Sequence, residues 1–310
     1  MPRTLSELRE RIHKKLDTYF TFSYGRREEA SLRLLYGATD ALLDASMAAS
    51  AFGSAISSRT ATNLLACYGF LQAVYIQQDA VEVLSRAIGL SWRPQDDPVL
   101  SKIRDLRNRL TGHPALAGEL LRPPKLSSAI IPYNGIRCDG FDGHIYYDGS
   151  FETVHVDVAS ILQTNEERLV AQTEAIEIEM DRRESDFRSA QAGAQFYDTL
   201  GTNFGYLVHR LYCDLNDEDR LRQSLAHLEM IRDRVLELQK KLADRGFSAE
   251  VAANDVILEG LKMIGEILQG DRTSASQRQF ILMYGGLEKE LKAFTSSISE
   301  LDARLAAPVK

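Results

Sequence analysis

Residues 104–114, RDLRNRLTGHP, place an arginine, an asparagine and a histidine within one short segment. Arg107 and His113 are separated by five residues, and Asn108 directly follows the arginine. A guanidinium group is permanently charged and binds phosphate through two parallel hydrogen bonds. An imidazole titrates near neutral pH, so His113 is suited to giving or taking a proton. The segment therefore indicates chemistry at a phosphate group.

The elements around this segment give it a defined local setting. The sequence VLSKIRDLRNRL (99–110) predicts a helix that carries Arg107. Gly112 is suited to the left-handed conformation that ends a helix, and Pro114 to the first position of a new one. We therefore expect His113 to lie at a junction between helices.

Similar spacings occur at two other histidines, out of six in the chain. Arg137 precedes His144 in a glycine-rich turn segment, where no rigid element fixes the geometry. Arg220 and Arg222 precede His227 within a charged helix, where a solvated face is the simpler interpretation. We attribute both matches to chance.

The Arg107 segment resembles the motif of the HEPN superfamily of helical proteins, an arginine usually followed by Asn, Asp or His and then, after four to six residues, a histidine. The preceding CYGFLQAVYIQQDAVEVLSRAIG (67–89) is similar to the long helix before that motif. The resemblance covers about residues 1–125. It implies a helical bundle that dimerises with two motifs facing each other and, in many members, metal-independent ribonuclease activity. Other members are binding or scaffold modules.

This resemblance implies roles for particular residues. Arg107, Asn108 and His113 are the expected catalytic residues, and Lys102, Arg104 and Arg109 are expected to contact RNA. Asp79 and Glu82 on the preceding helix are candidates for orienting the arginine or the histidine; the alternative is a solvent-facing position or a structural salt bridge. Tyr75 offers a surface for base stacking, with core packing as the alternative.

Composition places the chain among ordinary soluble globular proteins. It has 310 residues, of which 44% are hydrophobic and 26% charged. No apolar run approaches the roughly 20 residues of a membrane span, and the charged N-terminal segment is unlike a signal peptide. Cys67, Cys138 and Cys213 are odd in number and far apart, which favours neither a disulfide framework nor a metal site. We therefore expect a cytoplasmic protein without a membrane partner.

Charge is unevenly distributed along the chain. The net charge is −7, yet the segment from Arg86 to Lys125 holds eight basic and four acidic residues. A local basic patch on an acidic body fits a protein that binds a short stretch of RNA at one site. The alternative is that these are solvated charges along an ordinary helix.

Hydrophobic periodicity predicts a mainly α fold in three regions. Residues 1–125, which the resemblance assigns to an HEPN-like helical domain, predict helices over about 4–20 and 28–48, a long helix that ends at Ile88, and the motif helix. Residues 126–157 carry turn dipeptides and alternating apolar residues, which predict a small β-meander or hairpin insertion. Residues 158–310 predict a C-terminal helical bundle with coiled-coil-like packing, including helices over about 249–268 and 275–306.

No cofactor or metal is expected. His209 and Cys213 have a spacing of four on one helix, which suits a metal, but no further ligand is recognisable nearby. The Asp-Gly turns of residues 139–149 match no calcium loop and are explained by turn chemistry.

Three functions remain open at this point. The first is a homodimeric, metal-independent endoribonuclease, a toxin or defence effector under the control of the remaining region or of a protein partner. The second is a non-catalytic HEPN-like binding or scaffold protein for RNA, a nucleotide or a protein. The third is a helical interaction protein in which the motif is coincidental.

Overall fold

The computed structural model describes residues 3–19, 29–57, 60–112, 127–147, 150–211, 218–270 and 274–307. These residues form two compact units, of which the first ends at Arg182 and the second begins at Arg183. Most of the described chain is helical, and the first unit contains one small antiparallel sheet. The prediction of a mainly α fold with one small β element is therefore confirmed.

The helices of the first unit begin and end close to the predicted residues. Helix α1 starts with a capping box, in which the Glu7 backbone N–H donates to Thr4 Oγ1 and the Thr4 backbone N–H donates to the Glu7 carboxylate. Its apolar residues share one buried face, as their three- and four-residue spacing predicts. The helices are α1 (Leu5–Thr18), α2 (Glu29–Ser50), α3 (Phe52–Ala55), α4 (Thr60–Ala87) and α5 (Pro98–Arg107).

Helix α4 is a central element of the first unit. It packs against both α2 and α5, and it buries Phe70, Leu71 and Val74. Burial also raises the pKa of the Cys67 thiol to about 12. Cys67 therefore stays protonated and packs as a small apolar residue.

The sheet occupies the predicted 126–157 region. Strand β3 lies in its centre and pairs antiparallel with β4 along its full length, while β1 and β2 pair with its other edge. Gly140 allows a close approach to the neighbouring strand, because a Cβ there would meet the Val156 carbonyl oxygen. The strands are β1 (Ser127–Ile130), β2 (Ile136–Arg137), β3 (Gly140–Tyr147) and β4 (Ser150–Asp157).

The sheet also supports the chain that follows α5. Leu110 is buried, and its side chain lies so close to Gly143 that an added Cβ would be 2.5 Å from Leu110 Cδ2. A glycine at this position of β3 therefore lets the segment after Arg107 pack against the sheet. Through this contact the sheet helps to position the segment that follows Arg107.

Helix α6 (Val158–Ala190) is joined to α1 by charged side chains. The carboxylate of Glu177 is buried and is bound by Arg3 at 3.2 Å, Arg11 at 2.6 Å and Lys15 at 3.0 Å. Lys15 also contacts Asp181 at 2.6 Å. Because a buried carboxylate needs cationic or hydrogen-bonding partners, this cluster fixes the register of the two helices.

The second unit has an apolar core formed by its own helices, as expected for a bundle. In the helix Glu218–Asp244, residues near heptad spacing, including Leu228, Val235, Leu238 and Leu242, are buried there. The helices after α6 are α7 (Phe196–Leu200), α8 (Phe204–His209), α9 (Glu218–Asp244), α10 (Ser248–Gln269) and α11 (Ser274–Ala306). Among the described residues, no helix combines the length and apolar composition that a bilayer crossing requires.

Candidate functional site

The end of α5 and the turn after it position Arg107. Asp97 caps the helix, its carboxylate accepting from the backbone N–H groups of Val99 and Leu100. After Arg107 the chain continues as a π-helical turn over Asn108–Gly112. Such turns are frequent at functional sites, because the extra residue redirects the side chains. His113 lies outside the described residues.

Arg107 is held by residues of α4 and by its own neighbour. The Gln72 side-chain oxygen accepts from Arg107 Nε at 3.1 Å and from Nη2 at 2.6 Å, and the Asn108 oxygen accepts from Nη1 at 2.9 Å. The guanidinium carbon lies 4.5 Å from the centre of the Tyr75 ring. The group is therefore fixed in one orientation before any ligand binds.

Arg107 keeps hydrogen-bonding capacity in this position. A guanidinium has five N–H groups, and three of them donate within the described part of the chain. The other two N–H groups have no acceptor among the described residues, and the side chain is half-buried. Two donors on a pre-oriented cation are what a phosphate needs for bidentate binding.

Arg104 has a different environment one helical turn earlier. Its side chain is buried, its Nη1 donates to Asp79 at 2.8 Å, and its guanidinium carbon lies 3.9 Å from the centre of the Tyr75 ring. Asp79 thus pairs with Arg104, and no contact joins it to Arg107 among the described residues. Arg104 is positioned as a buried cation between α4 and α5, and its predicted RNA contact stays a prediction.

A buried polar network continues from Arg104 into the bundle. Gln78 lies 3.5 Å from Arg104 and donates to Asn165 at 2.9 Å, and Asn165 in turn donates to Gln77 at 2.9 Å. Gln77 donates to Ser46 on α2. Because unmade hydrogen bonds are costly in a core, this chain of amides fixes α2, α4, α5 and α6 relative to one another.

The other predicted residues lie near the motif helix with ordinary surface contacts. Lys102 is exposed, and Arg109 lies 2.8 Å from Asp105 in a same-helix ion pair. Glu82 contacts Arg86 at 3.8 Å, also along one helix. Asn108 is the predicted residue that the structure brings into direct contact with Arg107.

Sequence reasoning missed Gln72 as a partner of Arg107. The signal was present, because Gln72, Tyr75 and Asp79 follow one another at three- and four-residue spacing on a mostly apolar helix. Such residues share one helix face. The stripe is polar because it faces the two arginines of α5.

The sheet carries a second cluster with an arginine and a histidine. His155 Nδ1 lies 2.8 Å from Asp142 Oδ1, and Arg137 Nη1 donates to Asp142 Oδ2 at 3.3 Å. Arg137 Nη2 also lies 2.9 Å from His155 Nδ1. A ring nitrogen either donates or accepts, so we assign its proton to the bond with Asp142. These hydrogen bonds from His155 and then Arg137 hold the pKa of the Asp142 carboxyl below its ordinary value.

This sheet cluster differs from the predicted Arg137–His144 match, since the imidazole beside Arg137 is that of His155. Arg137 and His155 are both well exposed, with 41% and 61% of their side-chain surfaces accessible. Exposed ion pairs of this kind contribute little stability and hold side chains loosely. His144 contacts the Phe151 ring.

No group of three or more metal-ligating side chains is found within the described ranges. Cys213, the second residue of the His209–Cys213 pair, lies outside them. Comparison of the chain with profiles of known protein families, with curated proteins and with solved structures finds no significant match.

Proposed function

We propose that the chain is a homodimeric, metal-independent endoribonuclease of the HEPN type, with Arg107, Asn108 and His113 at its active site. The observation that supports this proposal is the Arg107 guanidinium, which is held by Gln72, Asn108 and Tyr75 and has two N–H groups that donate to no described residue. A cation fixed in this way stabilises charge on a phosphate without reorganising during the reaction.

The reaction uses the 2′-hydroxyl of RNA as its nucleophile. His113 removes the proton from this hydroxyl, the 2′-oxygen forms a bond to phosphorus, and the bond from phosphorus to the 5′-oxygen breaks. The leaving 5′-oxygen takes a proton from a second acid. Arg107 stabilises the negative charge on the phosphorane. The products are a 2′,3′-cyclic phosphate and a 5′-hydroxyl, so atoms and protons balance without water or metal.

A dimer supplies the second acid. One chain contributes one His113 at this segment, whereas in-line cleavage benefits from a base on one side of the phosphate and an acid on the other. His113 of the partner subunit takes the second role when two motif segments meet across a two-fold axis. The exposed Lys102 and the partly exposed Arg109 then contact flanking phosphates of the strand.

A second candidate is an HEPN-like module that binds RNA, a nucleotide or a protein partner without cleaving anything. The observation that favours it is that three of the five Arg107 N–H groups already donate to this chain. A guanidinium that already makes three internal hydrogen bonds can still bind a phosphate. It has fewer N–H groups left to stabilise the charge that develops on the phosphate during cleavage.

The test is a cleavage assay with 5′-labelled single-stranded RNA and purified protein, with and without EDTA. The proposal expects cleavage that survives EDTA, 2′,3′-cyclic phosphate ends and a dimer by sedimentation at micromolar concentration. RNA binding without cleavage supports the second candidate. A monomer that neither binds nor cleaves RNA contradicts the ribonuclease and the RNA-binding form of the second candidate.

The biological role that we propose is that of a toxin or defence effector acting in the cytoplasm, with the C-terminal region or a protein partner controlling it. Expression of the wild-type chain should then arrest growth of a bacterial host. Growth that is equally slow with His113→Ala would contradict this role.

A further inference from the structure

The second unit contains a polar cavity that is unrelated to the Arg107 segment. Its volume is about 400 Å³. His209 and Arg210 line it from the end of α8, Arg220 and His227 from α9, and Glu288 from α11. Ionisable side chains from three helices thus line one pocket.

The balance of charge in this cavity favours an anion. Arg210 and Arg220 contribute two permanent positive charges, and His209 and His227 add two groups that gain charge on protonation. Glu288 is the acidic residue among those that line it. Lys292 donates to the Glu288 carboxylate at 2.8 Å, which offsets that negative charge. Among the described residues that line the cavity, basic side chains therefore outnumber acidic ones.

His227 provides a second, independent observation. Its Nδ1 atom is buried and has no hydrogen-bond partner among the described residues. A buried polar atom without a partner is unfavourable, and a ligand atom that pairs with it removes that penalty. Nearby, Arg210 stacks on the Tyr206 ring at 5.2 Å, and the same ring lies 6.5 Å from the imidazole of His227. The aromatic ring thus lies beside both the Arg210 guanidinium and the His227 imidazole.

A larger cavity adjoins the polar one. Its volume is about 650 Å³, and His209 and Glu288 line both spaces. Its walls combine apolar and aromatic residues such as Phe204 and Tyr197 with hydroxyl groups such as Thr295. The charged side chains of Glu288, Lys292 and Glu300 also line it. An apolar surface beside polar groups suits a small molecule that has both an apolar and a polar part.

We propose that these adjoining cavities bind one small phosphorylated molecule with a ring body, of the size and chemistry of a nucleoside monophosphate. The phosphate occupies the polar cavity and is bound by Arg210, Arg220 and His227. The ring body lies in the larger cavity between Tyr197 and Phe204. This assignment does not depend on the proposed ribonuclease activity, because it involves other residues and another unit.

The test is isothermal titration of the full-length protein with AMP, adenosine and inorganic phosphate. AMP should bind with a stoichiometry of one per chain. Adenosine and phosphate should each bind about tenfold or more weakly than AMP, since each lacks one half of the ligand. Adenosine that binds as tightly as AMP would overturn the phosphate site, and phosphate that binds as tightly as AMP would overturn the ring site. Absence of AMP binding at millimolar concentration would overturn the proposal as a whole.

Variants of α9 provide the matched control. Arg220→Gln and His227→Gln should each weaken AMP binding about tenfold or more. Arg222→Gln makes the same charge change as Arg220→Gln on the same helix, but Arg222 is 77% exposed in its ion pair with Asp219 and does not line either cavity. It should leave AMP affinity unchanged. Equal AMP affinities for all three variants and the wild type would contradict the assignment of the phosphate site. Thermal melting of each variant confirms that it is folded.

Discussion

Two regions of the first unit bring an arginine close to polar partners, and they differ in how firmly they hold it. At the end of α5, Arg107 is stacked on Tyr75 and bound by two amide oxygens from a packed helix and a neighbouring residue. On the sheet, Arg137 and His155 are both largely exposed around Asp142. The first arrangement pre-orients a cation, while the second is a solvated ion-pair cluster. Proximity of arginine and histidine is therefore not enough to define a site; fixed partners are also needed.

The largest expected difference between the two regions is in RNA cleavage. Arg107→Ala and His113→Ala should each lower the cleavage rate by about 10²- to 10⁴-fold, because they remove charge stabilisation and proton transfer. Arg137→Ala and His155→Ala remove the same residue types from the sheet cluster and should leave the rate unchanged. Rates from the labelled-RNA assay decide the matter. Loss of cleavage in the sheet variants, or persistence of cleavage in His113→Ala, would contradict the assignment of the active site to the Arg107 segment.

The two regions should also differ in stability. Arg104→Ala removes a buried side chain that contacts Tyr75, Gln78 and Asp79, so it should lower the free energy of unfolding by about 2–4 kcal/mol. Arg137→Ala removes an exposed ion pair and should lower it by less than about 1 kcal/mol. Urea denaturation measures both values. Equal losses would mean that burial of Arg104 contributes no more than the exposed cluster does.

Gln72 is expected to act on cleavage through Arg107. Gln72→Ala should lower kcat about tenfold with little change in KM, because Arg107 loses the partner that orients it. Gln72→Glu keeps an acceptor at this position and should restore part of the lost kcat. If both substitutions instead raise KM and leave kcat unchanged, Gln72 contributes to binding and does not position the arginine.

The smallest expected effect is the pH dependence of the sheet cluster. The pKa of Asp142 is held below its ordinary value of 3.8 by His155 and Arg137. A lowered folded-state pKa gives stability that is present above pH 3.8 and is lost as the pH falls through the lowered pKa. Asp142→Asn should therefore be slightly less stable than the wild type at pH 7 and equal to it in strong acid. Unfolding free energies measured across this range test the sign, and a gap that widens in acid would contradict it.

The sequence by itself determined the features that depend on local chemistry. The capping of α1 by Thr4 and Glu7, the burial of one face of α1, and the antiparallel strands between residues 126 and 157 follow from short-range patterns. The helix that carries Arg107 is also local, since Asp97 and Pro98 begin it within the same segment. Periodicity and capping act over a few residues, so they can be inferred without a fold.

Only the tertiary structure decided which side chains those elements bring together. Gln72 meets Arg107 across 35 residues of sequence, His155 lies beside Arg137 across 18, and Gln78 binds Asn165 across 87. Arg104 and Arg107 are alike in sequence context, yet packing against α4 buries the first and leaves the second half-buried. The cavity that Arg220 and Glu288 share depends in the same way on helices far apart in the chain. Such contacts depend on how whole helix faces pack, and residue spacing along one segment does not contain that information.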